Sequence, residues 1–68
     1  MPLPKEVLAK VDANIKLAKS SLAELKDVVS DMRLSGMDTA ERDKEVKRLA
    51  DELRSLEIFY ERQKAKPS

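Results

Sequence analysis

Apolar residues recur along the first half of this chain at alternating spacings of three and four residues, and the pattern runs through eight positions without a break. The eight positions are Leu8, Val11, Ile15, Ala18, Leu22, Leu25, Val29 and Met32. Such a repeat places all of its members on one narrow stripe of a helix, here called a seam. It therefore predicts a long α-helix whose seam must be covered by other helices.

A shorter seam of the same kind lies in the second half of the chain. It consists of Val46, Leu49, Leu53, Leu56 and Tyr60, again at spacings of three and four. Continued backward, the same register reaches Arg42 and Thr39, so the first turns of this second helix are polar. The sequence therefore predicts two helices of similar length, the second with the shorter apolar stripe.

The turn between the helices is predicted at residues 35–38, which contain the sole glycine of the chain, Gly36. Glycine readily adopts the left-handed conformation that ends many helices. Asp38 followed by Glu41 resembles a capping box, with Asp in place of Ser or Thr, and predicts the start of the second helix. A connection of three to four residues makes the two helices antiparallel neighbours.

These signals divide a single domain into two helices and one turn. The predicted ranges are residues 1–68 for the domain, about 4–34 for helix 1 with Pro4 at its first position, 35–38 for the turn, and about 39–64 for helix 2 with Pro67 beyond its end.

A chain of 68 residues without cysteine or histidine has few ways to stabilise such a hairpin. Below about 70–80 residues one core rarely supplies more than about 3–5 kcal/mol, so small domains need a disulfide, a metal or a partner. The absence of Cys excludes a disulfide, and the absence of His as well argues against structural zinc. We therefore predict an all-α fold, an antiparallel helical hairpin that dimerises into a four-helix bundle with the thirteen seam residues as the dimer core. A trimer is the alternative.

Charge is distributed unevenly along the chain, although the net charge is only +1. Residues 5–23 sum to +2, residues 24–61 to −4 and residues 62–68 to +3. A hairpin would then have a basic end at its termini and an acidic end at its turn. An antiparallel dimer brings unlike ends together, whereas a parallel dimer stacks like charges at a cost that salt screens beyond about 10 Å. We therefore favour the antiparallel dimer.

The two seams and the short turn resemble Rop, a plasmid-encoded helical hairpin that dimerises into an antiparallel four-helix bundle. Residues 33–38 also resemble the turn of a helical-hairpin protein from crenarchaeal spindle-shaped viruses. That resemblance implies a Rop-like dimer that acts as an adaptor, and the scarcity of Asn, Gln and Cys is typical of thermophiles. Rop reads RNA with its first helices, including an exposed aromatic residue. Helix 1 here has no aromatic residue, so no RNA-binding residues are transferred.

The sequence contains no recognisable catalytic constellation. Without His or Cys there is no Ser–His pair, no thiol nucleophile and no histidine general base. A single glycine excludes a glycine-rich phosphate loop. A metal site inside a bundle would need a Glu-x-x-His motif or acidic residues on the seam, and neither is present. We therefore expect no enzyme activity, no cofactor and no metal.

Two apolar residues, Ile58 and Phe59, precede the seam residue Tyr60. One interpretation is that the bundle is wider at this end, where the start of helix 1 packs against them. The alternative interpretation is an exposed apolar surface for a partner protein.

Seven basic residues gather at the end of the hairpin that holds the termini. They are Lys5, Lys10, Lys16, Lys19, Arg62, Lys64 and Lys66. One interpretation is a solvated charged surface, and the alternative is a patch that contacts RNA or DNA phosphates. A net charge of +1 gives little attraction to nucleic acid or to an anionic membrane, so the second interpretation is not favoured.

Together these observations predict a non-enzymatic homodimer that binds another protein, as an adaptor or assembly factor. One alternative is a Rop-like nucleic-acid-binding regulator that uses its basic ends, and another is a hairpin that completes a bundle with helices of a different protein. The sequence contains no run of 18 apolar residues, the length that could span a membrane. Its first residues lack the apolar region of a signal peptide. We therefore expect a cytoplasmic location.

Overall fold

The computed structural model describes residues 3–66 and shows two α-helices that pack against each other. Helix α1 spans Lys5–Leu34 and helix α2 spans Ala40–Ala65. These bounds differ from the predicted ones by at most one residue at each end. Pro67, predicted to lie beyond the second helix, is outside the described residues.

The two helices run antiparallel along a rod of 53 × 16 × 12 Å. At one end the Leu3 N–H donates to Oε1 of Gln63 at 3.3 Å, and at the other end Arg33 pairs with Asp43 at 2.6 Å. Neither helix contains Gly or Pro, so each hydrogen-bond ladder continues for its full length of 30 or 26 residues. The all-α helical hairpin predicted from the seams is therefore confirmed for the single chain.

Helix α1 begins one residue later than predicted, because Pro4 is its N-cap rather than its first helical residue. The ψ of Pro4 is 153°, which is extended, and its carbonyl accepts the N–H of Leu8 at 3.0 Å. An N-cap has non-helical dihedral angles but already accepts the first helical hydrogen bond.

The C-terminus of α1 ends in a Schellman motif centred on Gly36. Its φ is +84°, the left-handed conformation predicted for this glycine. The Met37 N–H donates to the Met32 carbonyl and the Gly36 N–H to the Arg33 carbonyl, each at 3.0 Å. These two bonds satisfy carbonyls that the end of a helix otherwise leaves unpaired.

The prediction of a capping box between Asp38 and Glu41 is wrong. The N-cap of α2 is Thr39, and the side chain of Asp38 accepts from the Ala40 N–H at 3.0 Å instead. Thr39 lies in register with the seam and is only 6% exposed, which places the start of the helix one residue later. Its hydroxyl donates to Oδ2 of Asp43 at 3.0 Å, so the acid that reaches back is Asp43 rather than Glu41.

Candidate functional site: an unclosed face of the hairpin

A folded single chain fully buries few of its apolar side chains. Within residues 3–66 the buried apolar side chains are Ile15 and Val29, with 5% and 3% of their surface exposed. Ten of the other seam residues are half-buried, and Ala18 is exposed. The ten are Leu8, Val11, Leu22, Leu25, Met32, Val46, Leu49, Leu53, Leu56 and Tyr60. The helix-to-helix contact within one hairpin therefore covers only part of the predicted dimer core.

One side of the seam, the closed face, is bordered by ion pairs between the helices. Lys19 Nζ lies 3.5 Å from Oε1 of Glu57, and Arg33 Nη2 lies 2.6 Å from Oδ1 of Asp43. On α1 the residues along this edge follow one another at intervals of seven and are all charged. They are Lys5, Asp12, Lys19, Lys26 and Arg33. Charged side chains line this edge from end to end and make it a poor surface for a further apolar helix.

The opposite side of the seam, the open face, carries an apolar groove between the helices. Its lining is Ala18, Ser21, Leu22 and Leu25 from α1 and Leu49, Glu52, Leu53 and Leu56 from α2. Five of these eight residues are leucines, all of them half-buried. An apolar groove of this kind is a common feature of surfaces that contact another protein.

The innermost positions of the α1 rim, directly beside the seam on the open face, carry no charge. Residues at intervals of seven along this rim, here called the uncharged column, are Val7, Asn14, Ser21 and Val28. Val28 is 56% exposed, a large value for an apolar side chain next to a seam. The seam analysis missed this column. The sequence alone could have revealed it, because the column of helix 1 that flanks the seam on one side (5, 12, 19, 26, 33) is always charged, whereas the column on the other side (7, 14, 21, 28) never is.

The structure separates the two apolar residues that precede Tyr60. Phe59 is 43% exposed and occupies the position of α2 equivalent to that of Glu52, so it lies on the rim of the open face. Ile58 is 53% exposed and lies on the outer surface of α2, among side chains of its own helix such as Arg54 and Arg62. They therefore belong to two different surfaces and do not form one patch.

The seven basic residues are divided between the open and closed faces, and three of them contact other side chains of the hairpin. Lys16 pairs with Asp12 at 3.1 Å, and Lys64 Nζ lies 5.8 Å from the centroid of the Tyr60 ring. Lys19 belongs to the closed face through its ion pair with Glu57. By their helical positions Lys5 and Lys64 also lie toward the closed face, whereas Lys10, Arg62 and Lys66 lie toward the open face. The basic end therefore surrounds the rod instead of forming one continuous phosphate-binding surface.

Within residues 3–66 no three His, Cys, Asp or Glu side chains gather in a way that could hold a metal ion. In the same range neither helix has the length of apolar sequence needed to cross a bilayer.

Comparison with known proteins adds no further information about this hairpin. No protein-family model matches the chain, and no curated protein or solved structure matches it. The open face is therefore the feature of this molecule from which a function can be inferred.

Proposed function

We propose that this protein is a non-enzymatic interaction protein that pairs with a second copy of itself through the open face. The observation that carries this proposal is the burial of the seams. Of the apolar side chains in residues 3–66, one hairpin buries Ile15 and Val29, while five leucines remain half-buried in the groove. Full burial of one such side chain contributes about 1.5–3 kcal/mol, so covering the groove gives a large favourable term.

A second copy is the occupant that fits this groove best. Its own groove has the same length and the same leucines, so two open faces placed together would close both seams at once. Four helices around a shared apolar core form a four-helix bundle, the arrangement in which hairpins with short loops commonly pair. The resemblance to Rop-like hairpins supports the same assembly.

An adaptor or assembly role follows from what such a dimer would leave exposed. The outer surface of α2, which includes Ile58, faces away from the open face and would remain accessible to another protein. Leu34, 84% exposed, likewise lies off the seam of α1, in the column of Ser20 on the outer side of the helix. The dimer would then act as a rigid rod that presents two copies of each outer surface.

Sedimentation equilibrium on the full chain tests the pairing. We expect a dimer mass over protein concentrations of about 1 to 100 μM, which corresponds to a dissociation constant of about 1 μM or lower. Circular dichroism on the same samples reports helix content. A helical monomer across this range would refute the proposal, and a trimer or larger species would refute the two-hairpin bundle.

A further inference from the structure

Charge on the rim of the open face changes sign from one end of the hairpin to the other. On α1, Lys10 lies toward the termini and Asp31 toward the turn, at positions of the same helical column. On α2, Arg62 lies toward the termini and Glu41 toward the turn, again in one column. None of the four forms an ion pair with any residue in the range 3–66. The open face is thus bordered by unpaired charges, basic at one end and acidic at the other.

We propose that two copies pair head to tail across the open face, with α1 lying against α1 of the second copy and α2 against α2. The two-fold axis passes the hairpin at the middle of the groove, between the levels of Ser21 and Glu52, which lie about three residues apart along the rod by the pairing of Arg33 with Asp43. This inference rests on the proposed homodimer and adds which helices meet and where the axis lies.

The spacing of the rim charges matches this symmetry on both helices. Lys10 and Asp31 lie 11 and 10 residues to either side of Ser21, or about 16 and 15 Å at a rise of 1.5 Å per residue. A two-fold axis close to Ser21 therefore brings Lys10 of each copy within about one helical turn of Asp31 of the other.

The same relation holds on α2. Arg62 and Glu41 lie 10 and 11 residues to either side of Glu52. The axis therefore brings Arg62 of each copy within about one helical turn of Glu41 of the other, and the whole dimer gains four pairs of unlike charges at the ends of its rims.

The middle of the contact also tolerates a two-fold axis. On α1 the axis meets the uncharged column, where Ser21 is small and Val28 is apolar, so the two helices can approach closely without opposing charges. On α2 each Glu52 is already paired with Arg48 of its own helix at 3.0 Å. The level of the axis is therefore neutral on both helices.

A dimer with both turns at the same end would place α1 beside α2 of the second copy. The pairing of Arg33 with Asp43 shows which residues of the two helices lie at the same height along the rod. By this relation Lys10 of one copy would lie within about one helical turn of Arg62 of the other, and Asp31 within about one turn of Glu41. Like charges would oppose each other at both ends. The distribution of rim charge therefore favours the head-to-tail dimer.

Cross-linking at two neighbouring serines tests the position of the axis. The chain has no cysteine, so Ser21→Cys and Ser20→Cys each introduce the single thiol of the molecule. Ser21 lines the groove, whereas Ser20 is exposed on the outer side of α1. With a short bismaleimide we expect Ser21→Cys to give a covalent dimer and Ser20→Cys, the matched control, to stay largely uncoupled.

Sedimentation of the unreacted variants separates the two ways in which this test can fail. A Ser21→Cys chain that sediments as a dimer but does not cross-link to itself would overturn the head-to-tail pairing and leave the homodimer standing. A Ser21→Cys chain and an unsubstituted chain that are both helical monomers would refute the homodimer itself. Equal cross-linking of the two variants would also overturn the position of the axis.

Charge reversal gives a second test whose sign depends on the orientation. In the head-to-tail dimer Lys10→Glu places a glutamate near Asp31 of the other copy on both sides of the axis. We therefore expect the dissociation constant to rise several-fold. The double variant Lys10→Glu with Asp31→Lys should restore it, and Lys44→Glu, the same charge change on the outer side of α2, should leave it unchanged. In the opposite orientation Lys10→Glu would face Arg62 and lower the dissociation constant, which would overturn the proposal.

Discussion

Replacement of Leu25 by Asp distinguishes a hairpin that pairs through its open face from one that folds alone. Leu25 lines the groove and is half-buried in the single chain, so at most about a third of its surface is left for a second copy to cover. Full burial of a leucine side chain contributes about 1.5–3 kcal/mol. A symmetric dimer contains this residue twice, and the lost apolar contact alone therefore weakens the dimer by up to about 1–2 kcal/mol.

The introduced carboxylate adds a further cost, because an ionised group without a partner is expensive to remove from water. A combined loss of at least about 3 kcal/mol corresponds to a rise of more than about 100-fold in the dissociation constant. Sedimentation equilibrium at several concentrations measures this change directly.

Leu34→Asp is the matched control, since it is the same substitution on the same helix at a residue that is 84% exposed. A surface change of this kind alters stability by no more than about 0.5 kcal/mol, so the dissociation constant should stay within about threefold of the original. A Leu25→Asp chain that dimerises as tightly as the Leu34→Asp chain would show that the open face is not the contact surface.

Three further changes test the hairpin itself. Gly36→Ala should destabilise the protein by about 1–2 kcal/mol in urea unfolding, because φ is +84° at this position while the added Cβ meets nothing within 4 Å. Gly36→Asn should destabilise it less, since Asn adopts the left-handed conformation more readily than Ala. Equal losses in the two variants would contradict backbone strain as the cause. Arg33→Met removes the ion pair with Asp43 between two partly exposed side chains, and should cost about 0.2–1 kcal/mol in thermal unfolding, a loss that high salt reduces; a salt-independent loss would point to packing instead. Val29→Asp should abolish the helical circular dichroism signal at micromolar concentration, because Val29 is only 3% exposed within one hairpin and the introduced charge would be buried between its two helices. Retained helicity would show that this layer is not needed for folding.

Local physical chemistry explains why the secondary structure was predictable from the sequence. A helix is specified by side-chain periodicity and by the absence of Gly and Pro, and both can be read along 30 consecutive residues of α1. The left-handed Gly36 is equally local, since glycine adopts this backbone conformation without steric cost. The start of α2 was predicted less well, because Asp38 and Thr39 are both suitable capping residues. The choice between them depended on the burial of Thr39 against the other helix.

The sequence by itself determined that this chain forms two amphipathic helices joined at Gly36, because spacing and turn chemistry act within a few residues of each other. Only the tertiary structure decided which edge of each seam is closed and which stays open. A seam has two edges, and a second helix can pack nearer to either one, so periodicity does not say which neighbours it will cover. The packing of α1 against α2 pairs Arg33 with Asp43 on one edge and leaves Ala18 and the groove leucines accessible on the other.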